Sequence, residues 1–176
     1  AIPEIVKAID EISKRLKSNG RLFYIGTGTS GRLGVLDASE CPPTFCTNPD
    51  FIQGLIAGGE PSLRKSSESL EDLSYPAIID LKDKKFSKRD VLIGITASGR
   101  TPYVVSALNY SKSIKALSIS ISSVPLCDST ITTDIDIRLI TGPEILAGST
   151  RLKAGTATKM ALNIISTSVM IKLGKV

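Results

Sequence analysis

Two glycine- and hydroxyl-rich segments are the parts of this sequence best equipped for chemistry. They are Gly26-Thr-Gly-Thr-Ser-Gly31 and Thr96-Ala-Ser-Gly-Arg-Thr-Pro102, and each directly follows an apolar run. Glycine lets a backbone come close to a ligand. A helix start offers unpaired amides that attract an anion. The hydroxyls of Thr29, Ser30, Ser98 and Thr101 add neutral donors. Either segment alone reads better as a helix cap. Both together, at two strand-to-helix turns, point to one small phosphorylated ligand held by amides and hydroxyls rather than by lysines. The first segment does fit the spacing of a dinucleotide fingerprint. That fingerprint wants an acid about 20 residues on, at the end of the next strand. Asp50 lies near that distance but precedes its strand, so a dinucleotide is discounted. The Gly-Lys-Ser/Thr of a P-loop is absent.

The residue inventory narrows the reaction chemistry. There are no histidines among the 176 residues. This excludes a Ser-His-Asp triad, a Cys-His pair, histidine-bound zinc and any histidine acid or base. Acid–base work falls to Asp, Glu, Lys, Tyr or Cys. Cys41, Cys46 and Cys127 form no C-x-x-C pair, which argues against a disulfide scaffold or a cysteine metal site and for a reducing cytosol. The net charge of +5 is spread along the chain rather than gathered into a nucleic-acid patch. Aromatics are 5% with no Trp, too few for a base-stacking platform. No apolar run of about 18 residues is present, so no membrane span is expected. The first twenty residues carry charges throughout and lack a signal-peptide core.

These segments need elements to hold them. Ile5, Ile9, Ile12 and Leu16 recur at helical spacing and predict a leading helix over 1–18, ended by Asn19-Gly20. Strands are expected at 21–25, 52–57, 90–95 and 116–121, with a weaker one at 135–139. Helices are expected from Arg32 to about Glu40, where Pro42-Pro43 breaks the pattern, at about 68–81, at 103–113, and as a closing helix over 150–173. The basic stretch 82–89 reads as a solvated loop. Alternating strands and helices with apolar strands predict an α/β three-layer sandwich on a mostly parallel five-stranded sheet. In such sheets ligands sit beyond the carboxyl ends of the strands.

Strand, Gly-Thr-Gly-Thr-Ser-Gly-Arg, strand, Ala-Ser-Gly-Arg-Thr-Pro resembles a sugar isomerase (SIS) domain, a flavodoxin-like fold that binds phosphosugars. Residues 28–45, 54–60 and 97–103 resemble more specifically the N-acetylmuramic acid 6-phosphate etherases. The segment Gly142-Pro-Glu-Ile-Leu-Ala-Gly-Ser-Thr-Arg-Leu-Lys-Ala-Gly-Thr-Ala157 resembles a signature shared with the glucokinase regulatory protein. The likeness covers nearly the whole chain. By length alone, 176 residues suggest one complete domain; the resemblance implies instead the single SIS core of a longer enzyme.

The resemblance implies a bacterial cytoplasmic lyase that needs no metal or cofactor. It would cleave the D-lactyl ether by elimination and water addition, and act as a homodimer with its site near the subunit boundary. Two carboxyl groups of divergent pKa suit elimination where histidine is absent. By resemblance Glu40 is the acid that protonates departing lactate, Glu71 the base that takes the C2 proton, and Glu68 a contact to sugar hydroxyls. Without the family, Glu40 reads as a solvated helix-end carboxylate and Glu71 as a surface residue of an acidic stretch. Thr29, Ser30, Ser98, Gly99 and Thr101 are expected around phosphate and sugar. Thr96 stands where alanine is usual in the family, and its hydroxyl is a further phosphate candidate. Thr27 replaces a common alanine and Cys46 a common glycine. Arg151 and Lys153 read as a helix N-terminal region with structural ion pairs, and Cys41 as a structural thiol. Two alternatives remain open: a non-catalytic phosphosugar-sensing regulator, and an aldose–ketose isomerase. The etherase-like Asp37-Ala-Ser-Glu-Cys-Pro-Pro43 stretch argues against the regulator, and the long etherase-like blocks argue against the isomerase.

Overall fold

Five short runs rich in β-branched and aliphatic residues make one all-parallel sheet in the order β2-β1-β3-β4-β5. The strands are β1 (Leu22–Gly26), β2 (Ile52–Ile56), β3 (Val91–Ile95), β4 (Leu117–Ser122) and β5 (Ile135–Arg138). The computed structural model describes residues 1–65 and 75–176. Strands β1, β3 and β4 are buried along their whole length. This is why their sequences show apolar runs instead of alternation.

Helices cover both faces. On one side lie α1 (Ile2–Lys17), α2 (Gly28–Phe45) and α6 (Lys153–Lys172), whose Ile12, Ala38 and Ile165 pack with Tyr24, Ile93 and Ile119 of the sheet. On the other lie α4 (Tyr75–Asp83) and α5 (Pro102–Ser113), where Leu81, Val104 and Leu108 pack with Phe23, Ile25 and Leu92. The three-layer sandwich is therefore as the sequence predicts, with a sheet that is wholly parallel. A short α3 (Glu60–Arg64) follows β2; the sequence reading did not anticipate it. Of the helix expected over 68–81, residues 75–83 are helical, and 68–74 lie outside the described residues.

One expectation is corrected. Helix α2 does not stop before Pro42-Pro43 but runs through both to Phe45. A proline inside a helix removes one amide and crowds the carbonyl four residues back. Here both prolines fall in the last turn, so the damage is confined to a helix end. The helix closes on Cys46 in the left-handed region (φ 50°, ψ 42°), a conformation glycine adopts without strain. A glycine at this position would close the helix without that strain.

Two buried carboxylates fix the layers. Asp37, on the inner side of α2, accepts hydrogen bonds from Tyr24 Oη of β1 (2.9 Å) and from Asn163 Nδ2 (2.9 Å) and Ser166 Oγ (3.1 Å) of α6. Burial first, and the Asp37 charge second, push the Tyr24 hydroxyl well above its ordinary value, so it stays a donor. Asp90, 3% exposed, pairs with Arg21 across the starts of β3 and β1 at 2.9 Å. It also accepts the Arg21 amide (2.9 Å) and the Ser87 amide (2.8 Å). Burial raises the Asp90 pKa, but the Arg21 side chain and these amides outweigh it, and the net shift is downward from 3.8.

Two stability results follow. Cys46→Gly should stabilise the fold by roughly 0.5–1 kcal/mol in denaturant unfolding, because relief of left-handed strain exceeds the entropy that glycine adds to the unfolded chain; a destabilised variant would contradict this. Because Asp90 has a lower pKa folded than unfolded, its ionised form contributes stability that is complete above 3.8. That contribution is lost as pH falls through the folded value. The stability gap between the wild type and Asp90→Asn should therefore narrow as pH drops below 3.8; a gap constant with pH would refute the pairing.

Candidate functional site

The register of β1 and β3 brings the two hydroxyl-rich turns together. Gly26 is paired directly with Ile95, so residues 27–30 and 96–101 leave the sheet side by side. Chain order also reverses between these strands, since β1 leads outward to β2 and β3 leads outward to β4. Open α/β sheets form their ligand crevice at such a switch point, beyond the carboxyl ends of the strands.

The first turn is tight because it has glycine where nothing else fits. A Cβ on Gly26 would lie 2.7 Å from the Gly31 amide nitrogen, and a Cβ on Gly31 would lie 2.7 Å from the Gly26 carbonyl oxygen. The first bond of α2 runs from the Gly31 amide to the Thr27 carbonyl at 3.0 Å. The amides before it have no intrahelical acceptor and face the crevice end with the positive end of the helix dipole. Thr27 and Thr101 are the N-cap residues of α2 and α5, yet neither side chain makes a cap hydrogen bond. The capped-helix reading of these two turns therefore fails. In the second turn the hydroxyls bond to one another: Thr96 Oγ1 lies 2.7 Å from Thr101 Oγ1 and 3.3 Å from Ser98 Oγ. Between the turns is a cavity of about 220 Å³, lined by Thr29, Ser30, Thr96, Ser98 and Thr101 together with Thr27 and Ala97. The loop before α6 closes it with Gly148 and Thr150. The cavity wall is thus hydroxyls and backbone, with no charged side chain, which suits an anion bound by neutral donors.

The remaining expected residues divide clearly. Gly99 does not line the cavity. It makes the turn, with φ of +68° and no room for a side chain, since a Cβ would lie 2.8 Å from Ser129 Oγ. Arg100 turns away and donates from Nε to the Asp128 carbonyl at 2.5 Å. Glu40 is exposed on α2, ten residues or about 15 Å of helix beyond Ser30, and it is not in the cavity wall. Glu68 and Glu71 lie outside the described residues. Cys41 is buried, and desolvation first, then the charges of Asp37 and Glu40, push its thiol up to about 12; it is no nucleophile. Arg151 and Lys153 are exposed and form no ion pair among the described residues, so the structural pairing expected of them is not found.

Sequence reasoning missed Gly148 and Thr150. Their signal was present as a further Gly-Ser-Thr stretch just before a helix. No three His, Cys, Asp or Glu converge as a metal-ligand set among the described residues. No described helix is long and apolar enough to cross a membrane. A larger hollow of about 470 Å³ lies at the opposite, amino-terminal edge of the sheet, among Lys7, Arg15, Lys112 and Lys115. It has neither glycine turns nor a free helix start, so its size does not outweigh the position of the hydroxyl cavity.

Comparison with known proteins places the chain in one family. The chain is 83% identical over 175 residues to a curated relative from Prochlorococcus marinus (strain NATL1A) named N-acetylmuramic acid 6-phosphate etherase. The match covers 99% of this chain and 56% of that relative, so the chain spans little more than half its length. Among solved structures, a phosphoheptose isomerase from Francisella tularensis superposes with a TM-score of 0.62 at 16% identity, covering 95% of this chain and 85% of that one. The Vibrio vulnificus NanR protein complexed with ManNAc-6P gives 0.55 at 18% identity, covering 96% and 54%. A family model described as the glucokinase regulatory protein N-terminal SIS domain matches residues 4–112. On the family-model match and the high identity to a curated relative, this chain belongs to the SIS-domain family.

Proposed function

We propose that this chain is the phosphosugar-binding core of a lyase that converts N-acetylmuramic acid 6-phosphate to N-acetylglucosamine 6-phosphate and D-lactate. The observation that carries this reading is the 83% identity, across 99% of the chain, to a protein named for that etherase activity. The hydroxyl cavity is its physical counterpart. Thr29, Ser30, Ser98 and Thr101 would donate hydrogen bonds to the 6-phosphate, helped by the amides at the start of α2. Thr96 Oγ1, in a residue 2% exposed and bonded to Thr101, would aim the Thr101 hydroxyl. Gly99 would serve by shaping the turn. The complex with ManNAc-6P named for one structural neighbour accords with a phosphorylated sugar here.

The reaction needs a base and an acid. With the sugar ring open, the C1 aldehyde acidifies the C2 proton. Glu71 takes that proton, the C2–C3 double bond forms and the C3–oxygen bond breaks. Glu40 gives its proton to the departing lactate oxygen. Water then adds across the double bond, its hydroxyl to C3 and a proton to C2. Glu68 would hold a sugar hydroxyl. Residues of the chain alone account for these roles, with no cofactor. The enzyme would work in the bacterial cytoplasm, in recovery of cell-wall amino sugar.

We further infer a homodimer with the site near the subunit boundary. The outer stripe of α6 carries Met160, Ile164 and Ile171 between Lys153 and Lys172 at its ends, and Met160 and Ile171 are each 58% exposed. Three large apolar side chains exposed along one long helix accord with a cover. The distance of Glu40 from the cavity also accords with a site shared between subunits. A second reading, a phosphosugar-sensing regulator, is favoured by the name of the matching family model.

Incubating the full-length protein with N-acetylmuramic acid 6-phosphate should release D-lactate; sugar binding with no release would overturn the lyase in favour of the regulator. In deuterated water, Glu40→Gln should lose lactate release yet retain C2 proton exchange, whereas Glu71→Gln should lose both. Equal exchange in the two variants would reject these roles. Thr96→Val keeps the shape and removes the hydroxyl. It should raise KM about 3–10-fold with little change in kcat, the cost of about one hydrogen bond between neutral groups; an unchanged KM would remove Thr96 from phosphate recognition.

A further inference from the structure

We propose that Glu144 is a positioning residue for the phosphosugar pocket, holding the loop that carries Gly148 and Thr150 closed against the hydroxyl cavity. This rests on the phosphosugar reading above and extends it to a residue far from the two glycine turns. The observation is an unusual helix cap. The residue preceding α6 is Leu152, which has no side chain able to accept a hydrogen bond, and it makes no cap. The first two amides of α6 are instead taken by a carboxylate from eight residues further back. Glu144 Oε2 accepts from the Lys153 amide at 3.0 Å, and Glu144 Oε1 accepts from the Ala154 amide at 2.9 Å. Hydrogen bonds from the Ala154 and Lys153 amides hold its carboxyl below the usual carboxylate range, so at neutral pH both oxygens are charged acceptors at the positive end of a twenty-residue helix.

The consequence reaches the cavity through the loop that Glu144 closes. Residues 144–153 form a ring whose two ends are this carboxylate and α6. Inside the ring the bonds are short-range: Ser149 amide to Leu146 carbonyl (2.9 Å), Thr150 amide to Gly148 carbonyl (3.0 Å) and Leu152 amide to Ser149 carbonyl (3.2 Å), and the Gly155 amide of α6 donates back to the Thr150 carbonyl (2.9 Å). Apolar packing does little to hold the loop, since Ile145 is 91% and Leu146 59% exposed. Yet Gly148 and Thr150 are wall residues of the cavity. The start of α6 approaches the first turn directly: a Cβ on Gly155 would lie 3.5 Å from Thr29 Cγ2. Glu144 therefore sets where the third wall stands relative to Thr29. By occupying the α6 amides itself, it also leaves the ligand's phosphate to α2 and the hydroxyls.

The test uses the full-length protein and the variants Glu144→Ala and Glu144→Gln, with N-acetylglucosamine 6-phosphate as binding probe and lactate release as the kinetic readout. Glu144→Ala should raise both the probe's Kd and KM about 10-fold or more while kcat stays within about 3-fold, because ground-state binding is what the wall supplies. Glu144→Gln, which keeps one acceptor oxygen, should fall between. Amide exchange at Lys153 and Ala154 should quicken in the same order. A purely structural role would instead lower the active fraction, reducing kcat with KM and Kd unchanged, and that result overturns the proposal. A raised Kd with Lys153 and Ala154 still protected also overturns it, since the effect would not run through the cap. If Glu144→Ala does not fold, Glu144→Gln is judged by the same criteria. A wild type that binds the probe but releases no lactate sinks the lyase reading alone and leaves Glu144 to be decided by Kd. A wild type that does not bind the probe sinks both.

Discussion

The in-register parallel pairing of β1 with β3 is the constraint on which the rest of the site depends. Gly26 opposite Ile95 means that two chain segments separated by about seventy residues leave the sheet at the same level. Neither turn alone encloses a ligand. A one-residue slip of β1 would exchange the faces of its side chains and carry Tyr24 away from Asp37, so the buried network that seats α2 and α6 is tied to the same register. The Arg21–Asp90 pair closes the other end of these two strands. Strand register, helix seating and cavity shape are thus one arrangement.

What this arrangement offers an anion is polarity without fixed charge. The cavity wall is hydroxyl, amide and glycine, although the chain carries an excess of lysine and arginine. Those cations lie elsewhere: Arg100 is drawn to the Asp128 carbonyl, and Lys7, Lys112 and Lys115 line the far edge of the sheet. Neutral donors fixed by mutual hydrogen bonds recognise a phosphate by geometry, since each hydroxyl must already point the right way. The bonds of Thr96 to Thr101 and to Ser98 are the visible signs of that fixing. A wall made this way is sensitive to small displacements, which gives the loop before α6 its importance.

Much of the fold was legible because its signals are local. The apolar runs of β1 and β3 and the periodic isoleucines of α1 leave little choice of element, and alternation of strand and helix leaves little choice of class. The extent of α2 was not legible. Pro42-Pro43 is a strong stop signal, and only the packing of Ala38 and Cys41 into the core carries the helix through it. At the site, the two hydroxyl turns could be read because glycine and threonine stand directly after strands. Gly148 and Thr150 carry a similar Gly-Ser-Thr signal, but nothing in a loop's sequence says which cavity it folds back onto. Glu144 was hidden for the same reason, as its partners are nine and ten residues away and are backbone amides. The assignment of Glu40 and Glu71 came from likeness to a family, and no spacing in the chain would have supplied it.

The central claim is that one phosphorylated sugar is held between the two hydroxyl turns. A crystal structure of the full-length protein with N-acetylglucosamine 6-phosphate tests it most directly. The phosphate should lie within hydrogen-bond distance of Ser30 from the first turn and of Ser98 or Thr101 from the second. A phosphate bound at one turn only, or seated among Lys7, Arg15 and Lys112 at the opposite edge of the sheet, would contradict the account.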